Sequence, residues 1–446
     1  MQICVLNCAE QISTGVCGPA PTCESYIFTG QLGYREQNVT RWARGGRLST
    51  IFYICVESRV LTVPGFAAVR SPVRTRSSAA MAKPTVLIIS GSVGAGHDGA
   101  ARELAARLRN AGVTVDIRDY LDALPRPVRM LLRRGYTGSI RYRPAVMQWL
   151  FDSAEQARWM HLVIHMLCRH ARRQVRRWPV DAALVVSVFP FASQTIGQLK
   201  QAGELPGVAI TYLTDPAPHW LWLHPAVEHH LTVTEITAEA GLRDYGVQMR
   251  AVGGLVPAEF AKRVTVQTRA TIRESLGLPV VGPVVLVVAG ADGMGDITST
   301  VATLARADIA DVVVLCGRNE RLRHEVAKLP RVLALAWRRD VADIMAASDV
   351  LVHNAGGLSL TEAFVSGLPA VTYRPIPGHG RANAQVLAQA GVVAWPQDDQ
   401  ELVAEVARQC GAERTRGPVD AQPDKAILEL LNPALSQSPV ADSLPA

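Results

Sequence analysis

The chain lacks any long hydrophobic run. Its 446 residues contain no window of about 18 uninterrupted apolar residues, the length that a membrane-spanning helix requires, so we expect no transmembrane helix. Charged residues are also sparse, at 19% against 48% apolar residues, and this balance is typical of a globular chain rather than a disordered one. A chain of this length and composition is long enough for two or three domains, each with its own core.

Cysteines are few outside the first 80 residues. Cys168, Cys316 and Cys410 lie far apart in the sequence, without the spacing of metal ligands, and they suit a reducing cytoplasm. Residues 1–80 hold the other five cysteines but no lysine and no aspartate, and regular patterning begins only at Met81. They are either an Arg- and Ser-rich targeting segment or, as we favour, an extension outside the functional protein, whose true start is then Met81.

Positive charge is concentrated in one stretch. The formal net charge is +7, and residues 126–177 carry twelve arginines against Asp152 and Glu155. Apolar and aromatic residues are interleaved with these arginines, among them Tyr136, Tyr142, Trp149 and Trp159. The composition predicts interfacial helices that lie on an anionic lipid surface. A solvated helical hairpin and nucleic-acid binding are the alternatives, although no nucleic-acid recognition module is visible.

Strand-like and helix-like segments alternate along the rest of the chain. One series runs from TVLIIS (85–90) through ALVVSVF and GVAITYL to HHLTVT, and a second runs from VVLVVA (284–289) through VVVLC and DVLVH to PAVTY and VVAW (392–395). The segment between two successive strands is long enough for a helix. This alternation predicts an α/β fold of two Rossmann-like domains, each a parallel sheet covered by helices.

The two series define two domains. We place the first at residues 81–255 and the second at residues 256–433, joined near GGLVPAEFAKR, and we expect residues 434–446 to form a disordered tail. A cleft between the carboxyl ends of two such sheets is where α/β proteins bind their ligands.

The first glycine-rich turn allows two interpretations. Gly94, Gly96 and Gly99 form a G-x-G-x-x-G pattern between a strand and a helix, and Asp116 and Asp119 follow about 20 residues later, as in dinucleotide-binding sites. The pattern begins three residues late, however, and it places an imidazole where the turn needs slack. We therefore favour the second interpretation, in which His97 is the important residue of the turn. It is either a functional imidazole at the edge of the cleft or a turn histidine that only bonds to the backbone.

Two further glycine-rich turns lie in the second half. Gly290, Gly293 and Gly295 follow a strand and precede a helix, and Gly356 and Gly357 repeat the arrangement. Glycines let the backbone approach a ligand closely, and two helix N-termini in one domain suit a diphosphate.

Glu362 has two candidate roles. The segment from Ser359 to Glu362 matches the S-x-x-E capping box, in which the glutamate holds the helix start. Alternatively, the carboxylate accepts hydrogen bonds from both hydroxyls of a ribose. The two roles can coexist.

These motifs resemble those of one group of enzymes. GADGMGDI (290–297), CGRNERLR, NAGGLSLTEAFVSGLPAV (354–371) and PGHGRANAQVLAQAGV are similar to the nucleotide-sugar domain of GT-B glycosyltransferases, in the branch of the lipid-II-forming GlcNAc transferases and the monogalactosyldiacylglycerol synthases. SGSVGAGHDGAARELAARL and TYLTDPAPHWLWLHP resemble the acceptor domain of the synthases. The resemblance covers about residues 84–410 and implies the GT-B fold.

The resemblance also implies which residues form the nucleotide-sugar site. The residues that border the diphosphate and the sugar would be Gly290, Asp292, Gly293 and Gly295. Backbone N–H groups for the phosphates would come from Gly356, Gly357, Leu358 and Ser359. Arg318 would lie near the nucleotide, Arg338 near the base, Glu362 would bind the ribose and Asn383 would face the sugar. His97 would be the catalytic base. Asp215, in TYLTDPAPHW, would orient His97 or contact the acceptor, unless it only closes an Asx turn before Pro216.

The activity implied is an inverting transfer of a hexosyl group from a UDP-sugar to a membrane lipid, with diacylglycerol the favoured acceptor. Such an enzyme would be a cytoplasmic protein, peripheral on the inner face of the membrane. No D-x-D triplet, which would hold a Mg²⁺-bound diphosphate, occurs in the chain, so we expect no metal cofactor. The alternatives are a lipid-II-type GlcNAc transferase acting on a polyprenyl lipid, a UDP-sugar 2-epimerase, and a non-catalytic nucleotide-sugar or lipid-binding module.

Three features need separate comment. Ala95 interrupts a turn that is usually all glycine in the synthases, and His379-Gly380 stand where the family often has a polar pair that reads the sugar hydroxyls. The identity of the sugar is therefore left open.

The group His224, His229 and His230 lacks cysteine or carboxylate partners at ligand spacing, so we do not expect it to bind a metal.

Overall fold

The structure is a computed structural model, and it describes residues 54–56, 59–61, 85–178, 182–205, 207–417 and 422–431. Within the first 80 residues, β1 (Ile54–Val56) and β2 (Arg59–Leu61) pair as an antiparallel hairpin. The predictions about the rest of residues 1–80, the start at Met81 and the tail 434–446 lie outside the described residues.

The N-terminal lobe contains a parallel sheet of six strands in the order β4-β3-β5-β6-β7-β8. The strands are β3 (Thr85–Ser90), β4 (Thr114–Asp119), β5 (Ala182–Ser187), β6 (Val208–Leu213), β7 (His229–Thr232) and β8 (Arg250–Ala251). The central strands are rich in valine, isoleucine and leucine and are buried along nearly their whole length, as expected for strands with helices on both faces.

Seven helices accompany this sheet among the described residues. They are α1 (Gly96–Asn110), α2 (Arg126–Met130), α3 (Tyr136–Tyr142), α4 (Pro144–Gln156), α5 (Arg158–Val175), α6 (Pro190–Gln201) and α7 (Glu235–Tyr245). The predicted apolar face of α1, from Ala101 to Leu108, is buried against the sheet. The helices α2 to α5, with a π-helical turn at Leu131–Gly135, contain the arginine-rich stretch.

The C-terminal lobe contains a parallel sheet of five strands in the order β11-β10-β9-β12-β13. The strands are β9 (Val284–Val288), β10 (Asp311–Leu315), β11 (Val332–Leu335), β12 (Val350–His353) and β13 (Ala370–Thr372). The prediction of a strand at 392–395 is wrong, because this segment makes a single isolated bridge between Ala394 and Val371. Two apolar cores cover the two faces of the sheet.

Eight helices follow in the described part of the second half. They are α8 (Val266–Ser275), α9 (Ile297–Ala307), α10 (Glu320–Val326), α11 (Val341–Ala347), α12 (Leu358–Ser366), α13 (His379–Gln389), α14 (Asp399–Cys410) and α15 (Pro423–Leu431). The last of these returns to the first lobe, where Ala426 and Ile427 enter the core on α1. No helix in the described ranges has the length and apolar character needed to cross a membrane.

Candidate active site

The carboxyl ends of the two sheets lie at the cleft between the lobes. The N-terminal lobe contributes the start of α1, and the C-terminal lobe contributes the start of α12, whose first residue is Leu358. Leu358 packs against α1, since a Cβ atom on Gly99 would lie 2.7 Å from Leu358 Cδ2 and one on Gly96 would lie 3.8 Å from Leu358 Cβ. The N-termini of the two helices therefore meet.

His97 lies at this meeting point as the second residue of α1. Its Nδ1 is 3.1 Å from Thr214 Oγ1, and its ring packs edge-on against Phe189 with the centroids 5.3 Å apart. Burial lowers the pKa of His97 below the ordinary value of 6.5, although the nearby Asp215 carboxylate opposes the shift. The partly exposed imidazole is therefore neutral at neutral pH and can accept a proton.

Asp215 follows β6 directly after Thr214. Its Oδ2 accepts a hydrogen bond from Trp222 Nε1 at 3.2 Å, whereas an Asx turn would direct it to the backbone. Burial alone would raise the pKa of Asp215, but the surrounding histidines, with His379 first among them, hold the pKa below its ordinary value. The hydrogen bonds that orient His97 thus come from Thr214 and from the backbone of Val188, and Asp215 acts on the ring through its negative charge.

The glycines of the first glycine-rich turn allow close contact between the two lobes rather than the binding of a dinucleotide. Gly96 and Gly99 lie against the other lobe, as described above. Gly94 has a positive φ of 86°, the left-handed conformation that favours glycine. The carboxylate of Asp119, a candidate ribose partner in the NAD interpretation, accepts hydrogen bonds from the backbone N–H (3.2 Å) and hydroxyl of Ser92 within its own lobe.

The loop after β9 is held by two asparagines from neighbouring strand ends. Asn319 Nδ2 donates to the carbonyl of Gly293 at 3.0 Å, and Asn354 Nδ2 donates to the carbonyl of Met294 at 2.8 Å. Both asparagines touch the glycines so closely that a Cβ on Gly293 would lie 2.6 Å from Asn319 and one on Gly295 2.4 Å from Asn354. The glycines at 293 and 295, like Gly290, also have positive φ. The conformation of the loop therefore requires glycine at these positions.

The turn after β12 leads into α12 without a side-chain cap. Gly357 is the N-cap residue, so Ser359 lies inside the helix and the predicted capping box with Glu362 does not form. Within the described chain, no hydrogen-bond partner is found for the side chains of Ser359 and Glu362, or for the backbone N–H groups of Leu358 and Ser359, whereas the N–H groups of Leu360 and Thr361 bond to the carbonyl of Gly357. Burial, reinforced by the charge of Glu259, raises the pKa of Glu362 to about 8.

Two arginines lie at the other strand ends of this sheet. Arg318, after β10, is 3.3 Å from Asp292 Oδ1, and its guanidinium lies 4.8 Å above the ring of Trp337. Arg338 Nε is 2.7 Å from Asp340 Oδ1, so that guanidinium is already paired with a carboxylate. Half of the Trp337 surface is exposed.

Asn383 is fully buried and bridges the lobes. Its Oδ1 accepts a hydrogen bond from the backbone N–H of Ala217 at 2.9 Å, and its Nδ2 donates to the carbonyl of Ala355 at 2.9 Å. The amide predicted to face the sugar is therefore engaged in holding the lobes together in this conformation.

Sequence reasoning missed two cleft residues and noted a third only as a departure from the family. Thr214 was not predicted, Tyr136 was named only among the aromatic residues of the arginine-rich stretch, and His379 was the departure from the family. The hydroxyl of Tyr136 lies 3.5 Å from His379 Nε2, and the two rings are stacked with centroids 6.1 Å apart. Burial raises the pKa of Tyr136, and the charges of Asp215 and Asp292 add to the effect, so this tyrosine faces acidic residues of both lobes.

The histidines at 224, 229 and 230 do not converge on a cation site. His224 Nδ1 accepts a hydrogen bond from the N–H of Ala226, and the imidazole of His230 is buried. No group of three or more histidine, cysteine or acidic residues arranged for a metal ion is present in the described ranges.

Each lobe matches the model of a known protein family. Residues 97–252 match the family model of monogalactosyldiacylglycerol synthase, and residues 284–427 match the C-terminal domain of glycosyltransferase family 28. Processive diacylglycerol β-glucosyltransferases are similar over most of the chain. The protein from Bacillus cereus is 24% identical over 348 residues, which cover 72% of this chain and 84% of that protein, and the one from Bacillus mycoides is 24% identical over 338 residues with the same coverage.

The fold has counterparts among solved structures. Sucrose-phosphate synthase from Thermosynechococcus elongatus superposes with a TM-score of 0.52 at 16% identity, covering 79% of this chain and 99% of that one. These matches confirm the predictions of a GT-B fold and of a glycosyltransferase.

Proposed function

We propose that this chain, a GT-B glycosyltransferase with a synthase-type N-terminal lobe and a family 28 C-terminal lobe, transfers a hexosyl group from a UDP-sugar to a lipid hydroxyl with inversion. Diacylglycerol is the favoured acceptor, because the relatives from Bacillus cereus and Bacillus mycoides are named for glucosyl transfer to diacylglycerol. The observation that carries the proposal is the meeting of two helix starts: α1 brings the neutral imidazole of His97 to the place where α12 presents free N–H groups.

The chemistry follows from this juxtaposition. The acceptor hydroxyl attacks the anomeric carbon of the sugar, the bond from that carbon to the phosphate oxygen breaks, and UDP leaves with the electron pair. Thr214 holds Nδ1 of His97, so Nε2 takes the hydroxyl proton. Such a base contributes typically about 10²- to 10⁴-fold in rate. The free N–H groups at the start of α12 stabilise the charge that develops on the leaving diphosphate.

The nucleotide fits along the strand ends of the C-terminal lobe. Glu362 is the unpaired acid beside the first turn of α12 and binds both ribose hydroxyls, as the family resemblance implies. The half-exposed side chain of Trp337, with the Arg318 guanidinium over one face of its ring, offers the uracil ring a stacking surface on the other face. The order from base to diphosphate then follows the strand order β11-β10-β9-β12.

The arginine-rich helices supply a surface for the membrane that contains the acceptor. Nine of the fifteen large hydrophobic side chains exposed by the described residues lie between residues 130 and 166: Met130, Leu131, Tyr142, Val146, Trp149, Trp159, Leu162, Val163 and Met166. Such a concentration marks an interaction surface, and the arginines around it match anionic lipid headgroups. We infer that these helices rest on the inner face of the membrane.

The central test is a UDP-release assay. A panel of UDP-glucose, UDP-galactose and UDP-N-acetylglucosamine is offered with diacylglycerol or with a polyprenyl lipid, each in vesicles. We expect UDP release with one hexose donor and diacylglycerol. Release only with the polyprenyl lipid would favour the lipid-II-type alternative, and conversion of the sugar without a lipid product would indicate an epimerase. His97→Ala should lose about 10²- to 10⁴-fold in turnover and retain donor affinity.

Vesicle flotation tests the membrane surface. Leu162, 60% exposed on α5, is replaced by glutamate, and Val266, 89% exposed on α8 of the other lobe, receives the same change as a control. We expect Leu162→Glu to weaken binding to anionic vesicles about 10- to 100-fold, because burial of a leucine is worth about 1.5–3 kcal/mol. Equal binding of the unmodified protein to neutral vesicles would contradict the electrostatic part of the proposal.

A further inference from the structure

The helices of the arginine-rich stretch also contact the other lobe. Gln148 of α4 accepts a hydrogen bond through Oε1 from the backbone N–H of Gly378, at 2.8 Å. Phe151, one turn further along α4, packs on the same residue, since a Cβ atom on Gly378 would lie 3.0 Å from the phenyl ring. Gln148 is itself held by a hydrogen bond from its Nε2 to Asp152 Oδ1 at 2.8 Å.

Gly378 determines where α13 begins. It is the N-cap residue of that helix, with φ of 78° and no side-chain cap, and the next residue is His379. Tyr136 of α3 stacks on the ring of His379, as described above. Two helices of the acceptor lobe therefore hold a two-residue segment of the donor lobe, one through the backbone and one through the imidazole.

This segment borders the reacting centre. Asn383 of α13 accepts a hydrogen bond from the N–H of Ala217, two residues after Asp215, at 2.9 Å. The charge of His379 lowers the pKa of His97, and both histidines act on Asp215. If His97 deprotonates the attacking hydroxyl, the anomeric carbon must lie within about 3–3.5 Å of that oxygen. The sugar then lies between His97 and the start of α13, whereas the nucleotide lies on the strand ends beyond α12.

We propose that Gln148 and Tyr136, on the helices that face the membrane, are positioning residues for the donor sugar: they fix Gly378 and His379 and so complete the sugar subsite from the opposite lobe. This inference rests on the proposed function. It makes a specific distinction, because in this placement the hexose lies against Gly378 and His379 whereas UDP lies beyond α12. Loss of Gln148 therefore weakens binding of the UDP-hexose and leaves binding of UDP unchanged.

The experiment compares Gln148→Ala with Gln174→Ala. Gln174 is exposed on α5 in the same arginine-rich stretch and serves as the matched control. KM for the UDP-hexose with the highest turnover, and the inhibition constant of UDP, are measured with vesicles containing diacylglycerol. We expect Gln148→Ala to raise KM about two- to tenfold, the range that one neutral hydrogen bond supplies, with the UDP constant and the melting temperature unchanged. Gln174→Ala should change neither constant.

A swapped pair tests whether the hydrogen bond itself matters. In the double variant Gln148→Glu with Asp152→Asn, a carboxylate oxygen can still accept from Gly378 N–H, and the new amide can still donate to residue 148. We expect KM to return to within about twofold of the unmodified enzyme. Gly378→Ala should raise KM from the other side of the contact, because its added methyl strains a positive φ against Phe151.

The outcomes separate the two proposals. An unmodified enzyme that releases no UDP from any donor would overturn the proposed function. An active enzyme in which Gln148→Ala changes the UDP-hexose and UDP constants equally, or changes neither, would overturn the positioning role alone. Recovery in the swapped pair, together with a selective rise in the single variant, would support it.

Discussion

Leu358 of the C-terminal lobe occupies the space that a side chain at position 99 of the N-terminal lobe would need. The virtual Cβ of Gly99 lies 2.7 Å from Leu358 Cδ2, closer than real carbon contacts allow. Leu358 therefore packs closely on α1, whose second residue is His97. A glycine inside a helix costs stability relative to alanine, so the presence of Gly99 in the first turn of α1 reflects this close packing.

Gly99→Val should disturb the contact between the two helix starts. The branched side chain needs the space of Leu358 Cδ2, so Leu358 must change rotamer or α12 must move, and a misplacement of about 1 Å can cost on the order of 10²-fold in rate. We expect kcat/KM to fall about 10- to 100-fold in the UDP-release assay. Gly138→Val is the control, because Gly138 of α3 has open space where its Cβ would be. Equal activity of the two variants would show that the contact does not govern catalysis.

Thr214→Val tests the orientation of the catalytic imidazole. The change removes the hydroxyl 3.1 Å from His97 Nδ1 and keeps the volume nearly constant. Without that partner the ring keeps only its hydrogen bond with the backbone of Val188, so we expect it to be less well oriented, kcat to fall about tenfold and UDP affinity to stay the same. The control is Thr211→Val on the same strand, because the buried Thr211 hydroxyl has no hydrogen-bond partner in the described structure. That control should keep full activity, and its melting temperature should not fall below that of the unmodified enzyme.

Much of the fold is predictable from the sequence because burial on both faces leaves a strong local signal. TVLIIS is apolar in four of six positions, and its predicted bounds, 85–90, are those of β3. The segment at 392–395 carries the same signal but serves another purpose. Val392 N–H bonds to the carbonyl of Leu387 after Gly391 turns the chain with φ of 67°, so these residues end α13 rather than extend the sheet.

The site is predictable only where its chemistry lies within a short motif. The glycine turns and the histidine of the first turn fall in that class. Thr214 and Tyr136 do not, because they reach the site from a neighbouring strand and from the arginine-rich helices, with no periodic pattern to mark them. Asn383 belongs to a recognisable motif, yet its engagement with Ala217 and Ala355 depends on how the lobes meet.

Asp215→Asn should change the pH dependence of turnover in a defined direction. The Asp215 carboxylate raises the pKa of His97, against the larger effect of burial, so its removal lowers that pKa further. The base form of His97 then persists to lower pH, and the acidic limb of the kcat/KM profile moves down from a position already below pH 6.5. The plateau falls about tenfold, because the imidazolium that forms during transfer loses its counter-charge.

A profile measured between about pH 5 and pH 9 distinguishes this role from simple misfolding. A variant that loses activity equally at every pH, with no shift of the acidic limb, would contradict an electrostatic effect of Asp215 on His97. A limb that moves to higher pH would contradict it as well, because the sign of the interaction would then be reversed.

Glu362 should couple UDP binding to proton release. Burial and the nearby Glu259 raise the pKa of Glu362 to about 8, so the free enzyme holds this group mainly protonated at pH 7. A carboxylate that accepts hydrogen bonds from two ribose hydroxyls must be ionised, and binding at pH 7 therefore releases close to one proton. Calorimetry in buffers of different ionisation enthalpy measures that number, and UDP affinity should rise with pH until it levels off above about pH 8.

Two variants isolate the carboxyl group. Glu362→Gln should abolish proton release, flatten the pH dependence and weaken UDP binding about 10- to 100-fold above pH 8, since hydrogen bonds to a charged group are worth about 1.5–3 kcal/mol. Glu259→Gln removes the neighbouring charge, which lowers the pKa of Glu362 and moves the midpoint of the affinity curve to lower pH. If the unmodified enzyme binds UDP without releasing a proton, Glu362 stays neutral in the complex. The predicted carboxylate contact with both ribose hydroxyls would then be wrong, because a neutral Glu362 either donates a hydrogen bond to the ribose or does not contact it.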